Sequence, residues 1–137
     1  MKVVLDTNVL ISGIFFHGPP SVILKAWRGG NIQFVLSPGI IDEYVRVAMI
    51  LADEFPAIEF SPLLTLIIAH SEVIQAAPLA HQVCEDAADD KFLACALASE
   101  SKAIISGDKH LLKISGYQGI TILTPHAFVE QYIKKQP

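Results

Sequence analysis

Residues 3–12 read VVLDTNVLIS: three consecutive apolar residues, an aspartate, and then an apolar segment with helical spacing. A short β-branched run of this kind, followed by a helical segment, is typical of a strand that leads into a crossover helix. Three later stretches repeat the order: IQFVL (32–36) before a helical segment from Ile40 to about Phe55, AII (103–105) before KHLLKI (109–114), and ITIL (120–123) before PHAFVEQYIKK (125–135). The alternation predicts parallel strands joined by helices, and the continuous apolar strands indicate a sheet covered on both faces. We therefore expect the α/β class, a three-layer sandwich with a central, mostly parallel β-sheet flanked by helices.

Three further segments complete this outline. FLACALASES (92–101) has the composition of a buried helix that precedes the AII strand. In the middle of the chain SPLLTLIIAH (61–70) has helical character, and EVIQ (72–75) is expected to form a short strand at an edge of the sheet.

Composition limits the class of protein. The chain has 137 residues, of which 52% are apolar and 18% charged, and its net charge is −4. This length fits one domain, residues 1–137, whose core needs no disulfide or metal in order to fold. The longest apolar run, FLACALA (92–98), is far shorter than the roughly 20 residues of a membrane span, and the N-terminal segment lacks the apolar core of a secretory signal. We expect a cytoplasmic protein without membrane association, with Cys84 and Cys95 packed as reduced thiols.

Five acidic residues lie where strands end or helices begin. Asp6 follows the first strand directly, and Asp108 follows the AII strand after two residues. Glu43 lies in the first turns of the helix after IQFVL, and Asp89 and Asp90 lie in the first turn of the FLACALA helix. Ligands of open parallel sheets bind at the carboxyl ends of the strands, so these acids are expected in one crevice. Clustered carboxylates need a neutralising cation, and an all-oxygen ligand set favours Mg²⁺ or Mn²⁺ over zinc.

Each acid also has a purely structural explanation. Aspartate is a favoured N-cap, so the four aspartates could instead satisfy free backbone N–H groups at helix starts. Glu43 could be a solvated residue that pairs with Arg46, three positions further along the helix. For any single residue both interpretations stay open. Their joint placement at two strand ends and two helix starts is what favours a shared site.

Small polar residues accompany the acids and could orient carboxylates or hold water. They are Thr7, Asn8, Ser37 and Ser106. Asn8 could equally cap the first helix. The sequence has no G-x-S-x-G elbow, no G-x-G-x-x-G and no P-loop motif, and its five histidines lack metal-ligand spacing. Serine-hydrolase, dinucleotide-binding and P-loop functions are therefore unsupported.

The segments VVLDTNVLIS, LSPGIIDEYVRV, DDKFLACALA and IISGDKHLL, taken in this order, resemble the PIN-domain ribonucleases, and in particular the VapC-like toxins of prokaryotic toxin–antitoxin pairs. The resemblance implies that the metal-binding, catalytic acids are Asp6, Glu43, Asp90 and Asp108, with Thr7, Asn8, Ser37 and Ser106 supporting them. It favours Asp90 over its neighbour Asp89. The chain departs from the family at His110, where close relatives often carry an aspartate.

The function implied by the resemblance is a Mg²⁺- or Mn²⁺-dependent endoribonuclease that cleaves single-stranded or looped RNA. Water activated by the metal would attack phosphorus and leave a 5′-phosphate and a 3′-hydroxyl. The resemblance also implies a toxin that forms a homodimer and is neutralised by a small antitoxin protein. Four basic residues are candidates for contacts with RNA phosphates, or else solvated surface charges: Lys25, Arg28, Lys91 and Lys109.

Two other functions compete with this one. A PIN-like module without catalysis could bind RNA or a protein partner, and the His110 departure keeps this alternative open. A Mg²⁺-binding phosphoacceptor signalling domain would also place acids at the strand ends of a parallel sheet. That class requires paired acids after the first strand, whereas this chain has Asp-Thr-Asn there.

Overall fold

Five short strands form the centre of the structure, a computed structural model that describes residues 1–134. The strands are β1 (Lys2–Leu5), β2 (Gln33–Leu36), β3 (Glu72–Val73), β4 (Ala103–Ile105) and β5 (Thr121–Leu123). Their order in the sheet is β3-β2-β1-β4-β5, and every neighbouring pair is parallel. The sheet predicted as mostly parallel is thus entirely parallel.

Helices connect the strands and flank the sheet. They are α1 (Thr7–Phe15), α2 (Pro19–Arg28), α3 (Pro38–Glu54), α4 (Ser61–Ala69), α5 (Asp90–Ser99), α6 (Lys109–Lys113) and α7 (Pro125–Phe128). Shorter elements are two 3-10 turns, Ala87–Asp89 and Tyr117–Gly119, and a π-helix, Val129–Ile133. Helix α5 packs against β1, β2 and β4, while α2 packs against α1, α7 and the π-helix. The predicted three-layer α/β sandwich is confirmed.

The buried residues of β1, β2 and β4 are apolar because both faces of the sheet are covered there. Residues 3–5 of β1 are at most 2% exposed, and residues 103–105 of β4 are at most 1% exposed. Each large aliphatic side chain buried in this way contributes about 1.5–3 kcal/mol to stability. Both cysteines are buried free thiols, as predicted, and burial is the main cause that raises the pKa of Cys84 and of Cys95 to about 12.

The structure differs from the sequence-based outline at the last helix. The segment predicted as one helix over 125–135 is α-helical only in α7 and continues as the π-helix, with residue 135 outside the described range. The edge strand expected within 72–75 is present as β3. Within residues 1–134 no single helix combines the length and apolar character of a membrane span, and only α1 and α2 taken together, with an 88° bend between them, have that length and composition.

The order in which the strands are added changes direction at β1, although all strands are parallel. The chain first adds β2 and then β3 on one side of β1, and afterwards adds β4 and β5 on its other side. Such a reversal leaves a crevice at the carboxyl ends of the two central strands. There the Asp6 backbone N–H donates a hydrogen bond of 2.9 Å to the Ile105 carbonyl, which holds the residue after β1 against the end of β4.

Candidate active site

Asp6, Ser106 and Asp108 are linked at the carboxyl ends of β1 and β4. Asp6 is 7% exposed and Ser106 is completely buried. The Ser106 hydroxyl donates to Asp6 Oδ2 at 2.7 Å and accepts from the Asp108 backbone N–H at 3.0 Å. One buried hydroxyl therefore positions the residues that follow two different strands.

The Asp6 carboxyl group is in an environment that disfavours its charge. Burial is the main cause that raises the pKa of Asp6, and the nearby carboxylates of Glu43 and Asp108 raise it further. The hydrogen bond from Ser106 opposes this rise without cancelling it. A cation bound beside Asp6 would remove the penalty, because it would favour the ionised form.

Glu43 reaches the same crevice from the second turn of α3. The Thr7 hydroxyl donates to Glu43 Oε2, and the Lys91 ammonium lies 2.6 Å from Glu43 Oε1. Lys91 also donates to the Ala88 carbonyl at 2.5 Å. The alternative partner Arg46 is 3.9 Å from Glu43 and largely exposed, so it makes the weaker contact. Glu43 is consequently a half-buried side chain turned toward β1 and α5.

The two adjacent aspartates before α5 have different surroundings. Burial raises the pKa of Asp89 to about 6, and the carboxylates of Asp6, Asp86 and Asp108 contribute to the rise. Asp89 therefore lies in the same electrostatic environment as Asp6 and Asp108, while the carboxylate of Asp90 is engaged by the backbone.

The Asp90 carboxylate binds the backbone of the preceding loop. Its Oδ1 accepts from the Cys84 N–H at 2.7 Å, and its Oδ2 accepts from the Val83 N–H at 3.1 Å. Burial alone would raise the pKa of Asp90, but hydrogen bonds from Cys84 and Val83 outweigh it and lower the pKa. Neighbouring residues at a helix start point in different directions, and the loop engages the second of these two aspartates.

Helix capping accounts for only one of the predicted acids. Asp108 Oδ1 accepts from the His110 N–H at 2.9 Å and caps α6. Asp6 and Asp89 occupy the N-cap positions of α1 and α5, yet neither side chain makes a capping hydrogen bond. Capping therefore does not explain why Asp6 and Asp89 lie beside other carboxylates.

Tyr44 is a site residue that the sequence analysis missed. It is 1% exposed, and its hydroxyl donates to the Leu5 carbonyl at 2.5 Å. This bond fixes α3, and with it Glu43, against the end of β1. Burial raises the pKa of Tyr44 well above its ordinary value, with a further contribution from Asp6. The signal in the sequence was a tyrosine beside a candidate acid, because a buried tyrosine hydroxyl needs a partner.

The remaining polar candidates lie at or near the crevice. Ser37 is buried at the start of α3, without a capping hydrogen bond. Asn8 is exposed on α1, and Lys109 is exposed beside Asp108. At His110, the departure from the family pattern, Nδ1 contacts Glu85 at 2.5 Å.

The structure places the two basic residues of α2 away from these acids. Lys25 and Arg28 are exposed in the last turn of α2, which leads into the start of β2. Arg28 lines a cleft with Gln33, the first residue of β2. Since the acids lie at the carboxyl ends of the strands, these two residues lie at the opposite edge of the sheet, and their contact with RNA phosphates stays a prediction.

The donor set fits a hard divalent cation. Carboxylates from four elements converge with hydroxyl groups beside them, and oxygen ligands of this kind suit Mg²⁺ or Mn²⁺. In the described part of the chain, no three Asp, Glu, His or Cys side chains are already arranged as ligands. Glu43 is engaged with Thr7 and Lys91, so its carboxylate would have to turn in order to bind a cation.

Comparison with known proteins identifies the family. A family model described as PIN domain matches residues 2–110, which is more than half of the chain and includes every acid described above. No curated protein matches the chain. PIN domains are generally nucleases. The matched range and the parallel sheet with acids at its carboxyl edge agree, and the chain therefore belongs to the PIN-domain family.

Proposed function

We propose that this chain is an endoribonuclease that depends on Mg²⁺ or Mn²⁺ and cleaves single-stranded or looped RNA. The observation that carries the proposal is the link from the buried Ser106 hydroxyl to the Asp6 carboxylate and the Asp108 backbone, with Glu43 held beside them by Thr7. The carboxylates of Glu43 and Asp108 add to the rise in the pKa of Asp6. A protein that needed only stability would not collect these charges around a buried carboxyl group, because they repel one another. A cation that the reaction needs would explain why these carboxylates lie close together, because its charge offsets their repulsion.

Each residue has a defined task in this proposal. Asp6, Glu43, Asp89 and Asp108 would hold a divalent cation, which would activate a water and neutralise charge on the phosphate. Ser106 holds the Asp6 carboxylate, and Thr7 and Tyr44 position Glu43 and its helix. Lys91 offers an ammonium group to a substrate phosphate once Glu43 turns toward the cation.

Asp89 takes the role that the sequence analysis gave to Asp90. The support is its proximity to Asp6 and Asp108 and the absence of a capping bond from its side chain. Asp90 is assigned to holding the loop through Val83 and Cys84. Substituting Asp89 and Asp90 one at a time therefore distinguishes metal binding from anchoring of the loop.

The decisive experiment is cleavage of a mixed pool of single-stranded RNA by the purified protein. We expect cleavage with Mg²⁺ or Mn²⁺, none in EDTA, and a loss to background in Asp6→Asn, since an amide cannot supply the charge of the ligand. Asp53→Asn is the matched control, because Asp53 is exposed near the end of α3, and it should cleave like the wild type. Full cleavage in EDTA, or by Asp6→Asn, would refute the proposal.

We extend the proposal to a toxin that pairs with a small antitoxin and forms a homodimer. An apolar patch on α3 supports a protein partner: Val45, Met49 and Ile50 are 36%, 58% and 58% exposed and lie at helical spacing. The mean hydropathy of +0.46 points the same way. Sedimentation at tens of micromolar, an order of magnitude suited to weak association, should show a dimer that Met49→Glu disrupts. A monomer under these conditions would remove the dimer.

A further inference from the structure

A cleft opens beside the acids, on the side of β2 and β3. Its walls are the start of α3 (37–39), the segment 75–82, and residues of the first turns of α5. Its volume is about 490 Å³, within the range of roughly 300–1,000 Å³ that is usual for small-molecule sites. Lys91 lines the cleft and also contacts Glu43, so the cleft and the acids share one residue.

The chemistry of the cleft is mixed. Pro38, Pro78, Leu79 and Ala94 provide apolar walls, while Gln75 and other amide and imidazole groups line it as well. Flat aromatic ligands with polar edges require this combination of apolar faces and a few hydrogen-bonding groups.

The segment 75–82 presents a backbone available for recognition. Within the described chain it makes no backbone–backbone hydrogen bond; the last bond before it joins the Ile74 N–H to the Leu36 carbonyl. The Gln82 amide nitrogen donates to the carbonyls of Cys84 and Glu85, and these contacts fold the end of the segment back on itself. The free N–H and C=O groups of this segment can therefore pair with the edge of a base.

The end of the cleft near the acids suits a phosphate. The N-termini of α3 and α5 both border it, and neither Ser37 nor Asp89 caps its helix with a side-chain bond. The first N–H groups of α3 have no partner within the helix, and they attract an anion together with the Lys91 ammonium, which pairs with Glu43 in this structure. One nucleotide would thus have its phosphate near Lys91 and its base toward 75–82.

We propose that this cleft binds one unpaired nucleobase of the RNA strand, adjacent to the phosphodiester bond that lies at the acids, so that segment 75–82 sets the sequence preference of cleavage. The inference rests on the proposed nuclease function for the identity of the strand. A paired base is excluded because its hydrogen-bonding edge is occupied and its faces are stacked.

The first test needs no cleavage. The complete protein is titrated, in EDTA, with each of the four nucleoside 5′-monophosphates and with ribose 5-phosphate, and backbone amide resonances are followed by NMR. At about 10 mM ligand, a dissociation constant of about 1 mM gives nearly complete binding. At least one monophosphate should shift the amides of Gly39 and 75–82, and ribose 5-phosphate should not. Identical shifts with ribose 5-phosphate, or no shifts in 75–82, would overturn the nucleobase site.

The second test uses a variant that blocks the cleft. Gln75 is exposed at its rim, so Gln75→Trp adds bulk without touching the acids. Gln131→Trp, an exposed glutamine in the π-helix, is the matched control. Gln75→Trp should weaken monophosphate binding at least 10-fold and flatten the nucleotide preference next to the cut, while Gln131→Trp leaves both unchanged.

The two proposals fail in different ways. Wild-type binding and preference retained in Gln75→Trp would overturn the nucleobase site. A wild-type protein that cleaves no RNA would overturn the nuclease function, whereas the monophosphate titration decides the cleft by itself.

Discussion

Asp89→Asn and Asp90→Asn, at the two adjacent aspartates before α5, should change the stability of the metal-free protein in opposite directions. Asp89→Asn removes a repelled charge. A rise of its pKa from 3.8 to about 6 corresponds to about 3 kcal/mol at 1.36 kcal/mol for each pH unit. Because Asp89 is partly exposed, solvent screening reduces this to about 1 kcal/mol. For a chain of this length we expect Asp89→Asn to melt about 4 °C higher.

Asp90→Asn should be destabilising. The carboxylate accepts from two backbone N–H groups of the loop, and an asparagine would keep one acceptor and turn an NH₂ group toward the other donor. Loss of hydrogen bonds to a charged group costs about 1.5–3 kcal/mol. The melting temperature should therefore fall by at least about 5 °C.

The pH dependence gives each variant a separate signature. Between about pH 4 and pH 6 folded Asp89 holds a proton that the unfolded chain has lost, so wild-type stability falls as pH rises through this window. The advantage of Asp89→Asn should thus be absent near pH 4 and complete above pH 6. The lowered pKa of Asp90 acts in the opposite sense: its contribution is present above pH 4 and is lost as pH falls below its folded pKa.

The assay is a thermal melt of wild type and both variants from about pH 2 to pH 8, each in EDTA and, above pH 4, in excess Mg²⁺. The Mg²⁺-dependent rise in melting temperature should shrink in Asp89→Asn and persist in Asp90→Asn. If Asp89→Asn lowers the melting temperature in EDTA, or if the Mg²⁺ response is lost only in Asp90→Asn, the reasoning from the geometry is refuted.

Three other substitutions test single contacts. Ser106→Ala leaves the Asp6 carboxylate and the Asp108 N–H without their partner. Denaturant melts should therefore show a loss of about 1–3 kcal/mol in stability, and titration with Mg²⁺ should show a 10–100-fold weaker affinity. Wild-type values in both measurements would contradict the linking role of Ser106. Lys91→Met removes the ammonium group that pairs with Glu43, so it should enlarge the Mg²⁺-dependent rise in melting temperature. RNA binding, measured by fluorescence anisotropy, should weaken. An unchanged rise would show that Lys91 does not compete with the cation. Tyr44→Phe should cost about 1 kcal/mol in denaturant melts, and no loss would show that the Leu5 contact contributes nothing to stability.

The parallel sheet and the edge at which its acids gather were predictable from the sequence. Apolar runs such as VVL and AII predict buried strands. The carboxyl ends of parallel strands lie at the same edge of the sheet. Asp6 follows such a strand directly and Asp108 follows one after two residues, so their placement depends only on local order. Their proximity to Ser106 follows from the register of β1 against β4.

What could not be read from the sequence depends on tertiary contacts. Asp89 and Asp90 have the same side chain one position apart, and only the contact of Asp90 with the loop 83–84 shows which of them is turned away. The position of Arg28 relative to the acids was predictable in principle. A crossover helix ends at the edge opposite its beginning, so basic residues in the last turn of α2 belong far from the acids.

The bond between Asp6 and Ser106 joins residues 100 positions apart. Synthesis on the ribosome produces β1, β2 and β3 well before β4, and the N-terminal part of a chain can begin to fold while the rest is still being made. A nascent chain that has emerged as far as Cys84 carries Asp6 and Glu43 but neither Asp89 nor Asp108. The catalytic edge is thus assembled only when β4 pairs with β1. The proposed nuclease would therefore lack a complete set of acids until nearly all of its chain has left the ribosome.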